Sequence, residues 1–345
     1  RFDYSGGATC PSLLLEPSRT NVLEYSEYFG GSDWTNTGSS VVSGFSSPEG
    51  LSNAYKLVED TSTGKHRINS IAQTLTANTY SGSFFAKKAE RDAVQIFTNG
   101  VFDVAAYANF DLTNGIVSVS TSTTAKIESL SDGWYKCSYT FSGTATVAPA
   151  VYISIITSPT SPKSEDYTGN GTSGIYLYGA QLEQGTYETS YIPTYGVSQT
   201  RSQDNSSLLG AGNILGQTEG VIFLQVGDTY NNAVTGPEKW FLEVRKDASN
   251  SFGLSSGGGG QVGNPVIRFV TKINNVVRTE GEPPNFSNSK IAIKYTSTEF
   301  KLFQNGSLKI TVPRNIGGYQ DIQLMEGASY DLKMVTKQLL AFPTA

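Results

Sequence analysis

Histidine, cysteine and methionine are nearly absent from this chain, with one His, two Cys and two Met in 345 residues. A zinc or iron centre built from His and Cys is excluded by that count. A Ser-His-Asp triad has a single candidate base, His66, and it would need an orienting carboxylate that sequence does not place. Charge is also scarce. Charged residues make up 16%, against roughly 25% in an average soluble protein. The net charge of −5 and the absence of a basic stripe exclude nucleic acid as a partner, because phosphate neutralisation needs clustered Lys and Arg. No apolar run approaches the ~20 residues of a membrane-spanning helix, so no membrane insertion is expected. Metal-loop spacing of the Asp-x-Asp-x-Asp-Gly type is missing too. No cofactor is expected, and calcium is the one metal left open, through loop oxygens near Asp166 or Asp204.

What is abundant is glycine (36), tyrosine (19) and phenylalanine (17), together with Ser, Thr and β-branched residues. That mixture predicts an all-β protein with many tight turns. Alternating segments bounded by Gly, Ser, Asn or Asp predict strands over 53–58, 69–76, 79–88, 94–98, 104–111, 116–120, 125–130, 134–140, 151–156 and 174–182. A second series follows at 219–226, 240–245, 251–255, 266–271, 291–296 and 330–336. Asn305-Gly306, between the alternating runs Phe300–Gln304 and Ser307–Ile310, is the strongest hairpin signal, since both turn residues tolerate positive φ. Gly257–Gly260 lacks the Lys-Ser/Thr of a phosphate loop and reads as a hairpin tip. The fold class is two jelly-roll β-sandwiches in tandem. Residues 1–30 are read as an arm, 31–198 as the first sandwich, 199–218 as a polar linker and 219–345 as the second sandwich. In the stretch 174–182, strict alternation assigns Ile175, Leu177 and Gly179 to one face and Tyr176, Tyr178 and Ala180 to the other. Pro193 then holds its predecessor extended at the exit.

Three motifs carry a family resemblance: Pro11–Leu23 (PSLLLEPSRTNVL) with Tyr25-Ser26 and Trp34, Asp132–Ser138 (DGWYKCS), and Tyr176–Thr194 (YLYGAQLEQGTYETSYIPT). In that order they resemble a module common in bacteriophage virion and tail proteins and in some secreted bacterial carbohydrate-binding proteins. The resemblance implies a carbohydrate-binding-module-like jelly roll over about the first two hundred residues, often followed by a concanavalin- or laminin-G-like sandwich. It implies no catalysis, a position on a virion surface or outside the cell, and partners that are host-surface polysaccharide and other virion subunits, with a homo-oligomer expected. The same module also occurs as a glycan-binding part of secreted enzymes or adhesins, and a purely structural decoration protein is a third reading.

Glycoside hydrolysis needs two carboxylates across the scissile bond. No Glu-x-Asp-x-x-Glu run occurs, and Glu183 and Glu188 sit in the exit motif, where structural roles are expected. A lyase using a Tyr base, with Arg or His66 neutralising a uronate, is the enzymatic alternative. What remains is sugar stacking on aromatic rings flanked by polar side chains. The candidate binding residues are Trp34, Tyr107 and Tyr152, with His66 and Arg67 as polar partners. The competing reading puts each of these aromatics in the core, as expected for Trp134 and Tyr176. Cys10 and Cys137 read either as one disulfide or as two unrelated thiols, the second being preferred.

Overall fold

The computed structural model describes residues 2–3, 12–99, 106–143, 145–204, 206–231, 239–256, 267–281, 288–314, 317–326 and 332–343. The protein is all-β and divides into two compact units, each built from two large antiparallel sheets. One unit is residues 19–201. The other combines residues 1–18 with 202–345, so the first is inserted into the second along the chain. The expected arm and linker are therefore partners rather than connectors. Ser12–Leu15 pairs with Leu332–Pro343 (Leu13 opposite Thr336, Leu15 opposite Met334), because burying Leu15 in the core of the outer unit removes apolar surface from water. Arg19–Asn21 instead pairs with Gln199–Arg201 in the inserted unit, and Ser206–Leu208 joins the strand Asp321–Glu326.

In the outer unit the sequence pattern translates directly. Phe241, Val244, Phe252, Phe269, Ile291, Ile293, Phe300 and Leu302 alternate into one core. Asn305 and Gly306 take φ of 49° and 81° between Phe300–Gln304 and Ser307–Val312, the left-handed pair that closes a tight hairpin. Among the described residues of this unit, the strands Phe2–Asp3, Ser12–Leu15, Ser206–Leu208, Val276–Gly281 (mostly exposed) and Asp321–Glu326 were not in the sequence reading. Gly257–Gly260 and Cys10 lie outside the described residues.

The inserted unit faces two six-stranded sheets together. The back sheet runs Ala125–Ser129, Trp134–Ser142, Thr79–Lys88, Gly174–Gln184, Ala54–Glu59, Ser39–Phe45. The front sheet runs Ile116–Thr121, Tyr107–Asp111, Ala93–Thr98, Val151–Ile155, His66–Ser70, Trp34–Thr37. Between them lie Leu57, Ile68, Phe84, Val94, Ile96, Phe110, Ile153, Ile175 and Leu177. Fully burying one such side chain is worth about 1.5–3 kcal/mol.

Strict alternation fails in Gly174–Gln184. The ladder slips between Tyr178 and Gln181, and Gly179 sits at φ 51°. A Cβ there would lie 2.9 Å from Tyr191 and 3.0 Å from Phe85. This bulge flips the face, so Ala180 and Leu182, not Gly179, continue the core of Ile175 and Leu177. Tyr178 packs instead with Ala54 and Trp134 on the other side of the sheet.

The three resemblance motifs meet in this region. Asn21 Nδ2 donates to the carbonyls of Ala180 (3.3 Å) and Ile192 (2.9 Å), while its Oδ1 accepts from Leu23 N and Leu182 N at 3.1 Å. Lys136 Nζ donates to Thr189 O at 2.8 Å. Cys137 is a fully buried free thiol in the core.

Candidate functional site

The front sheet turns one face inward and presents the other outward. Inward go Ala108 and Phe110, Val94 and Ile96, Val151 and Ile153, Ile68, and Trp34. Period-two alternation sends their neighbours out, and the register aligns those neighbours into rows across the strands. One row reads Thr121, Tyr107, Phe97, Tyr152, Asn69, Thr35. The next reads Val119, Asn109, Gln95, Ser154, Arg67, Thr37. Six strands at the usual spacing make each row about 24 Å long.

The second row is sealed. Gln95 Nε2 donates to Asn109 Oδ1 (2.8 Å) and Pro162 O (3.0 Å), and its Oε1 accepts from Ser164 N at 2.6 Å. Asn109 Nδ2 donates to Pro159 O (3.0 Å) and Ser161 O (2.8 Å). Both amides are fully buried. They hold the segment 159–164 across the sheet by hydrogen bonds that would be costly to leave unmade.

The first row stays open. Tyr107, Tyr152 and Asn69 are half-buried and Thr35 is exposed. Tyr152 lies parallel to Phe97, with centroids 4.9 Å apart and planes 4° from coplanar orientation. Arg67 caps this pair, its guanidinium carbon 4.5 Å from the Tyr152 centroid, and Lys163 Nζ stands 5.1 Å from Phe97. Asn99 Nδ2 donates to the Tyr152 hydroxyl at 2.9 Å, and Arg67 Nη1 donates to Ser164 Oγ at 3.2 Å. The result is a rigid stack in which Phe97 is buried and the ring faces are taken up by each other and by the two cations, so that the row offers outward Tyr107, the edge of Tyr152 and the polar side chains of Asn69 and Thr35.

Three of the five residues singled out from sequence, Arg67, Tyr107 and Tyr152, thus share one face. Trp34 and His66 do not. Trp34 is 5% exposed, packs on Phe29 at 4.7 Å and donates Nε1–H to Tyr25 O at 2.8 Å. It is a core residue and offers no ring face to a ligand. His66 is 1% exposed because neighbours along a strand point to opposite faces. If Arg67 faces out, His66 faces in. Its Nδ1 lies 2.5 Å from Gly38 O and its Nε2 3.1 Å from Tyr167 O, leaving it no route to a uronate. The sequence reading left out Phe97, Asn69, Asn99 and Lys163. Phe97 and Asn69 belong to the row only through register, which composition does not carry.

Beside His66 lies a charged knot that braces the sheet edge. Arg91 Nε and Nη2 donate to Glu59 at 2.9 and 2.8 Å, the Tyr167 hydroxyl donates at 2.8 Å, and Asn170 N at 3.0 Å. Burial opposes ionisation of Glu59, but these hydrogen bonds overcome it and hold the carboxyl below its ordinary range. Every oxygen is spoken for, so this carboxylate is a strut rather than an acid catalyst. Glu183 is likewise structural in its contacts: burial pushes its carboxyl up, and both oxygens accept from Thr189. Asp166 pairs with Lys65 Nζ at 2.9 Å, and Asp204 accepts from Glu16 N at 3.2 Å. Among the described residues no three His, Cys, Asp or Glu side chains gather as a metal site.

No protein-family model matches the chain, and no curated protein matches it. Solved structures give distant likenesses. The carbohydrate-binding module CBM66 from Bacillus subtilis is 16% identical, covering 45% of this chain and 92% of its own at a TM-score of 0.28. Laminin α1 chain domains LG4-5 from mouse are 9% identical, covering 79% and 85% at 0.28. A Bacteroides ovatus protein described as xyloglucan PUL GH43B is 12% identical, covering 90% and 76% at 0.30. Likenesses this weak carry no argument about function, which rests on the chain's own residues.

Proposed function

We propose that this protein is a non-catalytic glycan-binding module whose ligand lies along the open row Tyr107–Phe97–Tyr152–Asn69. The single observation that supports the reading is this row: three aromatic side chains on adjacent strands, spanning about 10 Å, with Asn69 beside them, on a sheet otherwise sealed by its own loop. Sugar rings would pack their C–H faces against the accessible surface of Tyr107 and the edge of Tyr152 while amides bond their hydroxyls. Arg67 and Lys163 beside the rings favour an acidic polysaccharide, since positive charge along the sugar path draws carboxylate or sulfate groups. The setting we propose is a phage virion surface or tail fibre contacting host-surface polysaccharide, supported by the three sequence motifs. The same face would serve a secreted bacterial enzyme or adhesin.

A screen against neutral and acidic polysaccharides tests the reading. Saturable binding to one acidic class, lost in Tyr152→Ala and retained in Thr79→Ala on the back sheet, is the expected result. No binding to any glycan, together with a discrete oligomer by light scattering, would instead establish a structural subunit. Release of unsaturated sugar from the bound polysaccharide would make the face catalytic.

A further inference from the structure

A second aromatic surface lies in the same unit, away from the row just described. Tyr25, Glu27, Tyr28, Ser43, Ser52, Asn53, Tyr55 and Tyr195 surround an open groove of about 480 Å³, within the range of small-molecule sites. Tyr25 stands opposite Tyr195 across a β-bridge. The rings of Tyr25 and Tyr28 have centroids 6.4 Å apart at 59°, and those of Tyr28 and Tyr55 6.4 Å apart at 66°. These rings surround the space from different sides instead of stacking on one another. Tyr28 is 55% and Tyr195 72% exposed, an unusual solvent exposure for large rings grouped together. Gly31 makes room for this arrangement, since a Cβ there would lie 2.6 Å from Tyr28 Cδ1.

Glu27 decides which ligand fits. Its Oε1 lies 3.1 Å from the Tyr178 hydroxyl and 3.3 Å from the hydroxyls of Tyr195 and Tyr191, the single proton of Tyr191 going to Ser26 Oγ at 2.7 Å. Its Oε2 shares the one Tyr195 proton (3.3 Å) and accepts from Asn53 Nδ2 (3.4 Å). Every donor is neutral. Among the described residues no Lys or Arg pairs with Glu27 or with Glu49, the other carboxylate acting on Tyr178 and Tyr195. Neutral hydroxyl and amide groups therefore crowd Glu27 while its charge is not compensated. A sugar hydroxyl or a primary ammonium needs free acceptors. A quaternary ammonium has no N–H and needs only ring faces and negative potential.

We infer that the Tyr25–Tyr28–Tyr55–Tyr195 groove binds a quaternary ammonium group of the trimethylammonium type, with Glu27 as its counter-charge. Burial and the neighbouring Glu27 carboxylate both push the Tyr195 phenol up, which is the signature of a negative field at the groove. The inference does not depend on the glycan reading, which concerns different residues.

Calorimetric titration of the full chain with choline, phosphocholine and the uncharged isostere 3,3-dimethyl-1-butanol tests it. Choline should bind with a dissociation constant on the order of 1 mM or tighter, and the isostere at least about tenfold more weakly. Glu27→Gln and Tyr28→Ala should each weaken choline about tenfold, with Tyr28→Phe near the parent, while Tyr152→Ala leaves choline unchanged. Phosphocholine binding as tightly as choline would point to a polymer or lipid head group as the source, and choline alone to the free cation. Both outcomes support the inference. Equal binding of choline and the isostere, absence of choline binding to a folded chain, or full affinity in folded Glu27→Gln would overturn it.

Discussion

The inserted unit carries two aromatic surfaces built from the same residue type but opposite in charge. On the front sheet, Tyr152 and Phe97 lie parallel and are covered by the cations Arg67 and Lys163. In the groove, Tyr25, Tyr28 and Tyr55 stand at steep angles to one another around Glu27. A strand register makes flat rows, because side chains across a sheet rise side by side. A loop against a bridge, as at Tyr25 and Tyr195, is free of that constraint and turns its rings inward on a shared space. A row across the strands with positive charge suits an extended acidic polymer, and an open aromatic groove with negative charge suits a compact cation. Aromatic content alone would have predicted the same ligand for both.

The largest expected effect removes the distinction altogether. Glu59→Ala leaves the Arg91 guanidinium without its bidentate partner beside a buried edge, and should cost about 3 kcal/mol of unfolding free energy, read by denaturant titration. Both surfaces should then fail together at raised temperature. The pH dependence has a definite sign. Since the folded carboxyl is held below its ordinary range, its stabilisation is present above the unfolded carboxylate pKa and disappears as pH falls through the depressed folded value. Next in size, Tyr152→Ala should weaken glycan binding by about 2 kcal/mol while leaving the denaturation midpoint and the choline response in place. A smaller effect follows from salt: raising ionic strength from low to physiological should weaken an acidic glycan several-fold through Arg67 and Lys163, and Arg67→Gln should flatten that dependence.

Much of the fold was legible. The strand Thr79–Lys88 and the Asn305-Gly306 hairpin fall where alternation and turn chemistry put them, because both are set by local pattern. The failures share one cause, which is that long-range pairing is not written locally. Leu13–Leu15 reads as part of an arm until its partner strand more than three hundred residues away is known. The His66–Ser70 strand was read as starting at Asn69, and that shift hid the alternation that separates His66 from Arg67. Bulges add a second blind spot: at Gly179 one left-handed glycine reverses the face of the residues after it. Of the site, Tyr107, Tyr152 and Arg67 could be named as types, but Phe97 joined them only through the ladder. The groove went unread because Tyr25, Tyr55 and Tyr195 are distant in sequence and meet only in the fold, where Tyr25 bridges Tyr195.

The smallest effect sharpens the comparison most, because it reads charge and not affinity. Tyr195 is exposed enough to titrate, and its phenol is raised by burial and by Glu27. Glu27→Gln removes the second cause and keeps the first, so the Tyr195 pKa should fall toward its ordinary value without reaching it. A bound cation should act in the same direction, since a positive charge beside the ring favours phenolate. By linkage, choline should then bind more tightly as pH rises through the Tyr195 transition. Spectrophotometric titration of single Tyr→Phe variants isolates the Tyr195 transition. A Tyr195 transition unmoved by Glu27→Gln would remove the negative field from the groove, and with it the reason the two aromatic surfaces should differ.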